Sequence, residues 1–205
     1  MKKLAPLLFS LLPLMASNSA LEQKLYLTID NQKFELTTDK ATKIKIDNKE
    51  HNVSLKFAPL STFKYNDIKF NFPSNLNFSY DASEEAIGLK SWSLNGDNLI
   101  IMVLVYNKLY SKEMILQTLL SEYKQMKAKI KREKTILELK NGKKLEGEKV
   151  IVYLGNVTLY QEIYIINSTN SKVLMIQDAL TDNQKHTQEF ENALKILKDS
   201  LVLDD

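Results

Sequence analysis

The sequence predicts an α+β protein with a largely antiparallel sheet flanked by two long helices, preceded by a small N-terminal pair of β-hairpins. Three observations favour this class. Short alternating segments are separated by Asn-Gly and Asp-Asn pairs, as in hairpins. Residues 111–132 repeat apolar side chains at steps of three and four, and a similar pattern closes the chain. The order strands, helix, strands, helix favours an antiparallel sheet with helices on its faces.

The first 20 residues have the three parts of a bacterial secretory signal. Lys2 and Lys3 precede an apolar run over residues 4–15, and small or polar residues follow it. A helix over that run would rise about 18 Å, too short for a hydrocarbon core of about 30 Å. We therefore expect cleavage within residues 17–20, a periplasmic or secreted location and no stable membrane insertion, with a retained anchor as the alternative.

Composition excludes several kinds of chemistry. The chain has 205 residues and no cysteine, which excludes disulfides, thiol nucleophiles, thiolate metal ligands and a lipid-modified cysteine. The formal charge of +3 falls to +1 when the charges of Lys2 and Lys3 are subtracted. This near-neutral balance argues against nucleic acid as a partner.

Residues 21–60 are predicted to contain two hairpins. LTIDNQKFEL at 27–36 and IKIDNKEHNV at 44–53 both alternate into an Asp-Asn pair and out again. A piece of about 35 residues buries too little surface to be stable alone, so we expect it to lie against the main domain or a partner. Residues 57–67 are predicted to be a linker, and the main domain is assigned to residues 66–205.

The main domain begins with the aromatic segment FNFPSNLNFSYD at 70–81. Its rings alternate along two extended pieces, which favours burial in a core over an exposed binding platform. The rings concerned are Phe70, Phe72, Phe78 and Tyr80, with Trp92 on the next strand.

The rest of the main domain follows from turn and helix signals. Asn95-Gly96 predicts a hairpin, and Leu99 to Val105 reads as a strand buried on both faces. A helix of about five turns is predicted over residues 111–132, capped by Ser111. Further strands are expected at 134–139, 144–154, 157–167 and 172–180. A last helix is expected from Thr181, because Thr181 and Gln184 have capping-box spacing.

The search for catalytic and metal-binding motifs yields no site. The two histidines, His51 and His186, have no metal-ligand spacing, and no nucleophile or phosphate-binding motif is present. The acidic cluster of Asp81, Glu84 and Glu85 lacks the spacing of a calcium loop and is interpreted as a solvated loop. We therefore assign no catalytic, cofactor-binding or metal-binding residues and no cofactor.

One basic segment, KQMKAKIKREK at 124–134, holds six Lys and Arg residues. Basic side chains complement the negative end of a helix, so we interpret this segment as the solvated end of the predicted helix. The alternative is a surface for anionic lipid or nucleic acid.

The order of elements resembles the α/β/α sandwich of the PsbP-like superfamily, which includes extrinsic photosystem subunits, the Mog family and bacterial DcrB-type envelope proteins. The resemblance rests on FNFP, SWSLNGDNLIIMVLVYN, the helical pattern, the strands LYQEIYIIN and KVLMIQDAL, and the closing TQEFENALKILKDSLVL. It covers about residues 66–203. It implies a domain that binds other proteins and shares no catalytic residues.

We therefore expect a non-catalytic envelope or secreted protein that binds another protein through the N-terminal hairpins or an exposed sheet edge. One alternative is a small-molecule or lipid carrier with a pocket between the sheet and the helix at 111–132. The other is a hydrolase that uses His51 or His186 with a nearby carboxylate.

Overall fold

A computed structural model describes residues 25–36, 40–56 and 58–203. The chain divides into two compact units, with the boundary between Pro59 and Leu60. The predicted signal segment lies outside the described residues.

The N-terminal unit contains two antiparallel hairpins, as predicted. Its strands are β1 (Leu25–Ile29), β2 (Gln32–Leu36), β3 (Ala41–Ile46) and β4 (Lys49–Ser54), paired β1 with β2 and β3 with β4. The turn residues have φ between 43° and 67°, and they are Asp30, Asn31, Asp47 and Asn48. Two consecutive residues with positive φ make the tight turn that matches strand twist, which Asp and Asn tolerate.

The larger unit is built from ten strands and three helices among its described residues. The strands are β5 (Leu60–Tyr65), β6 (Ile68–Pro73), β7 (Asn77–Asp81), β8 (Leu89–Asn95), β9 (Leu99–Tyr106), β10 (Lys129–Glu138), β11 (Lys144–Leu154), β12 (Val157–Asn167), β13 (Ser171–Ala179) and β14 (Val202–Leu203). The helices are α1 (Lys112–Leu119), α2 (Ser121–Gln125) and α3 (Gln188–Ser200), and a 3₁₀ turn spans Glu85–Ile87.

Seven of these strands form one antiparallel sheet in the order β10-β11-β12-β13-β9-β8-β7. The chain enters at the β7 edge, reaches the interior strand β9, and crosses through α1 and α2 to the opposite edge at β10. It then returns strand by strand until β13 pairs with β9. A smaller sheet joins β14, β6 and β5.

The two faces of the seven-stranded sheet bury separate cores. On the face that we call the α3 face, sheet side chains such as Ile101 and Leu174 pack with Phe70 of β6 and Leu197 of α3. On the opposite face, the α1 face, residues such as Ile163 pack against α1 and α2. The predicted buried strand is confirmed, because β9 contributes side chains to both cores.

The predicted fold class is wrong, because the protein is mostly β. Strands make up 56% of the structure and helices 17%, so it is not an α/β/α sandwich with two long helices. The expected helix over 111–132 ends early: Lys127 adopts φ 58°, and the Ala128 N–H bonds to the Tyr123 carbonyl at 2.9 Å. That arrangement closes a helix C-terminus, and residues 129–134 continue as β10.

The last helix begins later than predicted. Thr181 and Gln184 form a turn instead of a capping box, since the Gln184 N–H bonds back to the Thr181 carbonyl and Gln184 has positive φ. The helix cap is Thr187, whose hydroxyl accepts from the Phe190 N–H at 3.2 Å.

The opening aromatic segment divides between core and surface. Phe70 and Phe72 are buried, as predicted. The prediction is wrong for Phe78 and Tyr80, which are 57% and 41% exposed because β7 is an edge strand. Trp92 is half-buried against the α3-face core. The segment predicted as a linker contains β5, which pairs with β6.

Candidate functional site

The candidate site lies at the edge of the sheet formed by β10. Within the described chain, β11 is the strand that pairs with β10, so the other side of this ten-residue strand carries unpaired backbone groups. Such an edge is a template for the backbone of another chain.

The turn between β10 and β11 shows which residues of β10 face outward. The Leu139 N–H bonds to the Lys143 carbonyl at 2.9 Å, and Gly142 has φ 83°, as in a three-residue hairpin loop with a glycine bulge. Backbone bonding alternates along an antiparallel pair. Odd-numbered residues of β10 therefore bond to β11, and the N–H and C=O groups of the even-numbered residues point outward: Ile130, Arg132, Lys134, Ile136 and Glu138.

A cleft of about 380 Å³ lies beside this edge, on the α1 face. Buried Leu116 of α1 and Ile163 and Ile165 of β12 line it, together with Ile136 of β10, whose side chain is 57% exposed. The first turn of α1 contributes Lys112 to the wall. The cleft thus has an apolar floor and borders β10, the strand at the edge of the sheet.

Arg132 ties α1 to the edge strand. Its guanidinium donates to both carboxylate oxygens of Glu113 at 3.2 Å and to Glu148 of β11 at 3.4 Å. A forked pair of this kind fixes orientation as well as charge. The hydrogen bonds from Arg132 hold the pKa of Glu113 below its ordinary value, and the same bonds raise the pKa of Arg132.

The predicted basic segment lies elsewhere than expected. Only Lys124 and Lys127 lie near the end of a helix, and the other four basic residues are on β10, so the interpretation as a solvated helix end is wrong for them. On an edge strand, charged side chains discourage pairing between identical chains. Four of the six basic side chains therefore lie along the edge of the sheet and not at the end of a helix.

Of the two histidines, His186 has the more structured surroundings. Its Nδ1 lies 3.0 Å from the carboxylate of Asp178, which is fully buried, and its ring stacks on Phe190 and meets Tyr160 edge-on. Asp178 also accepts from the Thr187 N–H at 3.0 Å and hydroxyl at 2.7 Å. The arrangement anchors the start of α3 to β13.

Asp81 and Glu85 of the acidic cluster accept hydrogen bonds from nearby residues, and His51 is exposed. Asp81 accepts from the Ser83 N–H at 2.8 Å, and hydrogen bonds from Ser83 lower its pKa. Burial, followed by the charge of Asp81, raises the pKa of Glu84. Glu85 accepts from the Tyr80 hydroxyl. His51 lies exposed on β4.

Sequence reasoning missed the polar groups inside the sheet. On the α1 face, Gln161 donates to Gln177 at 2.7 Å and to the Tyr123 hydroxyl at 2.9 Å. On the α3 face, Glu162 accepts from the hydroxyls of Tyr160 and Tyr164. The sequence did contain a signal for these buried polar groups, because the pairs Gln161-Glu162 in β12 and Gln177-Asp178 in β13 interrupt otherwise apolar strands.

No family model and no curated protein matches this chain. Across residues 25–36, 40–56 and 58–203, no helix is long and apolar enough to cross a membrane. The same residues contain no group of three or more acidic or histidine side chains placed to hold a metal ion.

Proposed function

We propose that this chain is a non-catalytic bacterial envelope or secreted protein that binds an extended segment of another protein along the outer side of β10. The observation that carries the proposal is that an unpaired edge strand and an apolar cleft coincide. Backbone groups of the edge supply affinity in strand addition, and a pocket for alternate side chains supplies specificity. We also propose, as the sequence resemblance implies, that the chain belongs to the PsbP-like superfamily.

The alternation along the edge supports this mode of binding. Even-numbered residues of β10 turn their backbone groups outward and their side chains toward α1, as Arg132 does in reaching Glu113. A segment added to the edge would turn every second side chain toward α1 as well. The exposed apolar side chain of Ile136 would then be covered.

The test is a pair of substitutions at Lys134. Lys134→Pro removes an outward N–H and places the proline ring on the free side of the edge, where sheets tolerate proline. Lys134→Ala removes the same side chain and keeps the N–H. We expect a partner captured from the envelope fraction of the host to be retained by the parent chain and by Lys134→Ala and lost with Lys134→Pro.

Thermal unfolding of both variants serves as the control for folding. Equal capture by the folded Lys134→Pro variant would contradict binding along β10.

A second candidate, a carrier of a small molecule or lipid, is favoured by the size of the cleft. Ligand pockets typically measure about 300–1,000 Å³, a range that includes this one. Native mass spectrometry of protein purified from its host would detect a retained ligand, and Leu116→Trp, which fills the floor, should remove it. An unliganded mass in the parent chain would end this alternative.

The hydrolase alternative stays a prediction. A variant with both His51→Ala and His186→Ala that keeps the parent phenotype would contradict it.

A further inference from the structure

The outer side of β10 carries charges that complement each other. Lys134 and Glu138 both turn their backbone groups away from β11. Among the described residues, Lys134 has no ion pair, and Glu148, which lies opposite it on β11, is directed to Arg132. The Glu138 side chain is 69% exposed and pairs with Lys144 at 2.7 Å. The edge therefore presents an unpaired ammonium group and, further along the same strand, an exposed carboxylate.

Ile136 lies midway between these two charged residues. It is 57% exposed and lines the cleft. If two β10 strands pair antiparallel about a twofold axis at Ile136, this residue lies opposite its own copy, and Lys134 lies opposite Glu138 on both sides of it. Residues directly opposite each other share one face of the sheet, where apolar pairs and opposite charges stabilise a ladder.

The same register also matches the backbone groups of the two strands. It sets even-numbered residues opposite even-numbered residues, whose N–H and C=O groups point outward, so each of these pairs can exchange two hydrogen bonds. The ladder stops beyond Glu138, because the Lys140 N–H is already bonded to the Lys198 carbonyl at 3.1 Å. A ladder this short makes a weak dimer, so the dilute chain is a monomer with a free edge.

Charges on β10 disfavour most other registers of self-pairing. A centre at Arg132 or Lys134 sets that residue opposite itself, and a centre at Glu133 sets Arg132 opposite Lys134. Like charges directly opposite each other destabilise a ladder. A centre at Thr135 keeps like charges apart, but it places Lys134 against Ile136 and gives the ammonium group no acceptor. The charged side chains that discourage self-pairing in other registers therefore leave the Ile136 register open.

We infer that β10 also pairs with β10 of a second copy of this chain, antiparallel and centred on Ile136. The two seven-stranded sheets then become continuous, and the clefts of the two copies meet at Ile136. The second copy occupies the edge to which a foreign segment is proposed to bind, so dimerisation and capture of that segment exclude each other. Only this competition rests on the proposed function.

Charge reversal at two positions tests the register. Lys134→Glu places two carboxylates at each contact between positions 134 and 138, and Glu138→Lys places two ammonium groups there. Each variant alone should dimerise at least about tenfold more weakly than the parent chain. An equimolar mixture of the two variants should recover the parent affinity, because every such contact in the mixed dimer joins opposite charges. Sedimentation equilibrium from about 1 μM to about 1 mM measures the dissociation constants, and circular dichroism confirms that each variant is folded.

The outcomes separate this inference from the proposed function. A parent chain that is still monomeric at about 1 mM would overturn the dimer, and loss of partner capture with Lys134→Pro would leave the proposed function standing. Lys134→Glu that dimerises like the parent chain, or a mixture that recovers no affinity, would overturn the Ile136 register. A dimer that forms as inferred while no partner is captured would contradict the proposed function alone. Partner capture that is equal for monomer and dimer would overturn the competition.

Discussion

The two faces of the seven-stranded sheet treat polar side chains differently. On the α3 face, a helix of 13 residues and a second sheet cover the core, and the charged groups of Lys172 and Asp178 are buried with partners. On the α1 face, the covering helices have eight and five residues and leave the β10 end of the sheet open. The difference teaches that charged side chains are buried with partners on the α3 face, whereas on the α1 face they surround an open cleft.

The largest effect is expected at the ion pair of the α3 face. Lys172 is 4% exposed at its side chain and donates to Asp67, in the turn between β5 and β6, and to Ser168 at 2.9 Å. Lys172→Met leaves the partly buried Asp67 carboxylate without a cation, so we expect a loss of about 3–5 kcal/mol in the free energy of unfolding. Urea denaturation measures it.

The control for this ion pair is the double variant with Lys172→Met and Asp67→Asn. It should recover part of the loss, because no buried charge is left unpaired. A loss below about 1 kcal/mol in the single variant would contradict a structural role for the pair.

Asp178 gives the next largest effect on the same face. Asp178→Ala leaves the Thr187 N–H and hydroxyl and His186 without their acceptor, and we expect a loss of about 2–4 kcal/mol from these hydrogen bonds and the weakened start of α3. Asp178→Asn keeps one carbonyl acceptor and should lose less. Equal losses in the two variants, measured by urea denaturation, would show that the contacts to Thr187 do not anchor the helix.

The α1 face should respond to high pH through Tyr123. Burial raises the pKa of Tyr123 to about 12, from an ordinary value of 10.0. Between these values the unfolded chain loses a proton that the folded chain keeps, so stability falls as pH rises above about 10, by about 2–3 kcal/mol in total for this group. Tyr123→Phe should flatten the decline of stability between pH 10 and 12. An unchanged pH profile would contradict burial of this hydroxyl.

The smallest effect concerns the exposed tether between α1 and β10. Hydrogen bonds from Arg132 lower the pKa of Glu113 below 4.5. A lowered carboxyl pKa contributes stability above the unfolded value and loses it as pH falls through the folded value. NMR titration of the Glu113 side chain should give a midpoint below 4.5 that rises in Arg132→Gln. An identical midpoint in both proteins would show that the tether is absent in solution.

Local sequence patterns predicted the elements whose signals are unambiguous. Asn95-Gly96 lies between β8 and β9 as expected, and Ser111 caps α1, where its hydroxyl accepts from the Met114 N–H. The Asp-Asn turns of the first two hairpins were also predicted correctly, because the residue types that tolerate positive φ are few.

The candidate site could not be predicted, because it depends on topology. Ile130 fits both the helical period and the alternation of a strand, so the sequence does not show that Lys127 ends the helix and that β10 follows. The exposure of Phe78 and the unpaired side of β10 both result from positions at sheet edges. Those positions are set by the crossover through α1 and α2 and by pairings between strands far apart in sequence.

Amide hydrogen exchange along β10 tests the central claim most directly. In the free protein, NMR should show fast exchange at Arg132, Lys134 and Ile136 and slow exchange at Lys131 and Glu133, since only the odd-numbered residues bond to β11. At saturation with a partner segment identified by capture from the envelope fraction, the three even-numbered amides should exchange at least about tenfold more slowly, the factor set by about 1.4 kcal/mol of protection. Unchanged exchange at these amides with the partner segment bound would contradict addition of a strand to β10.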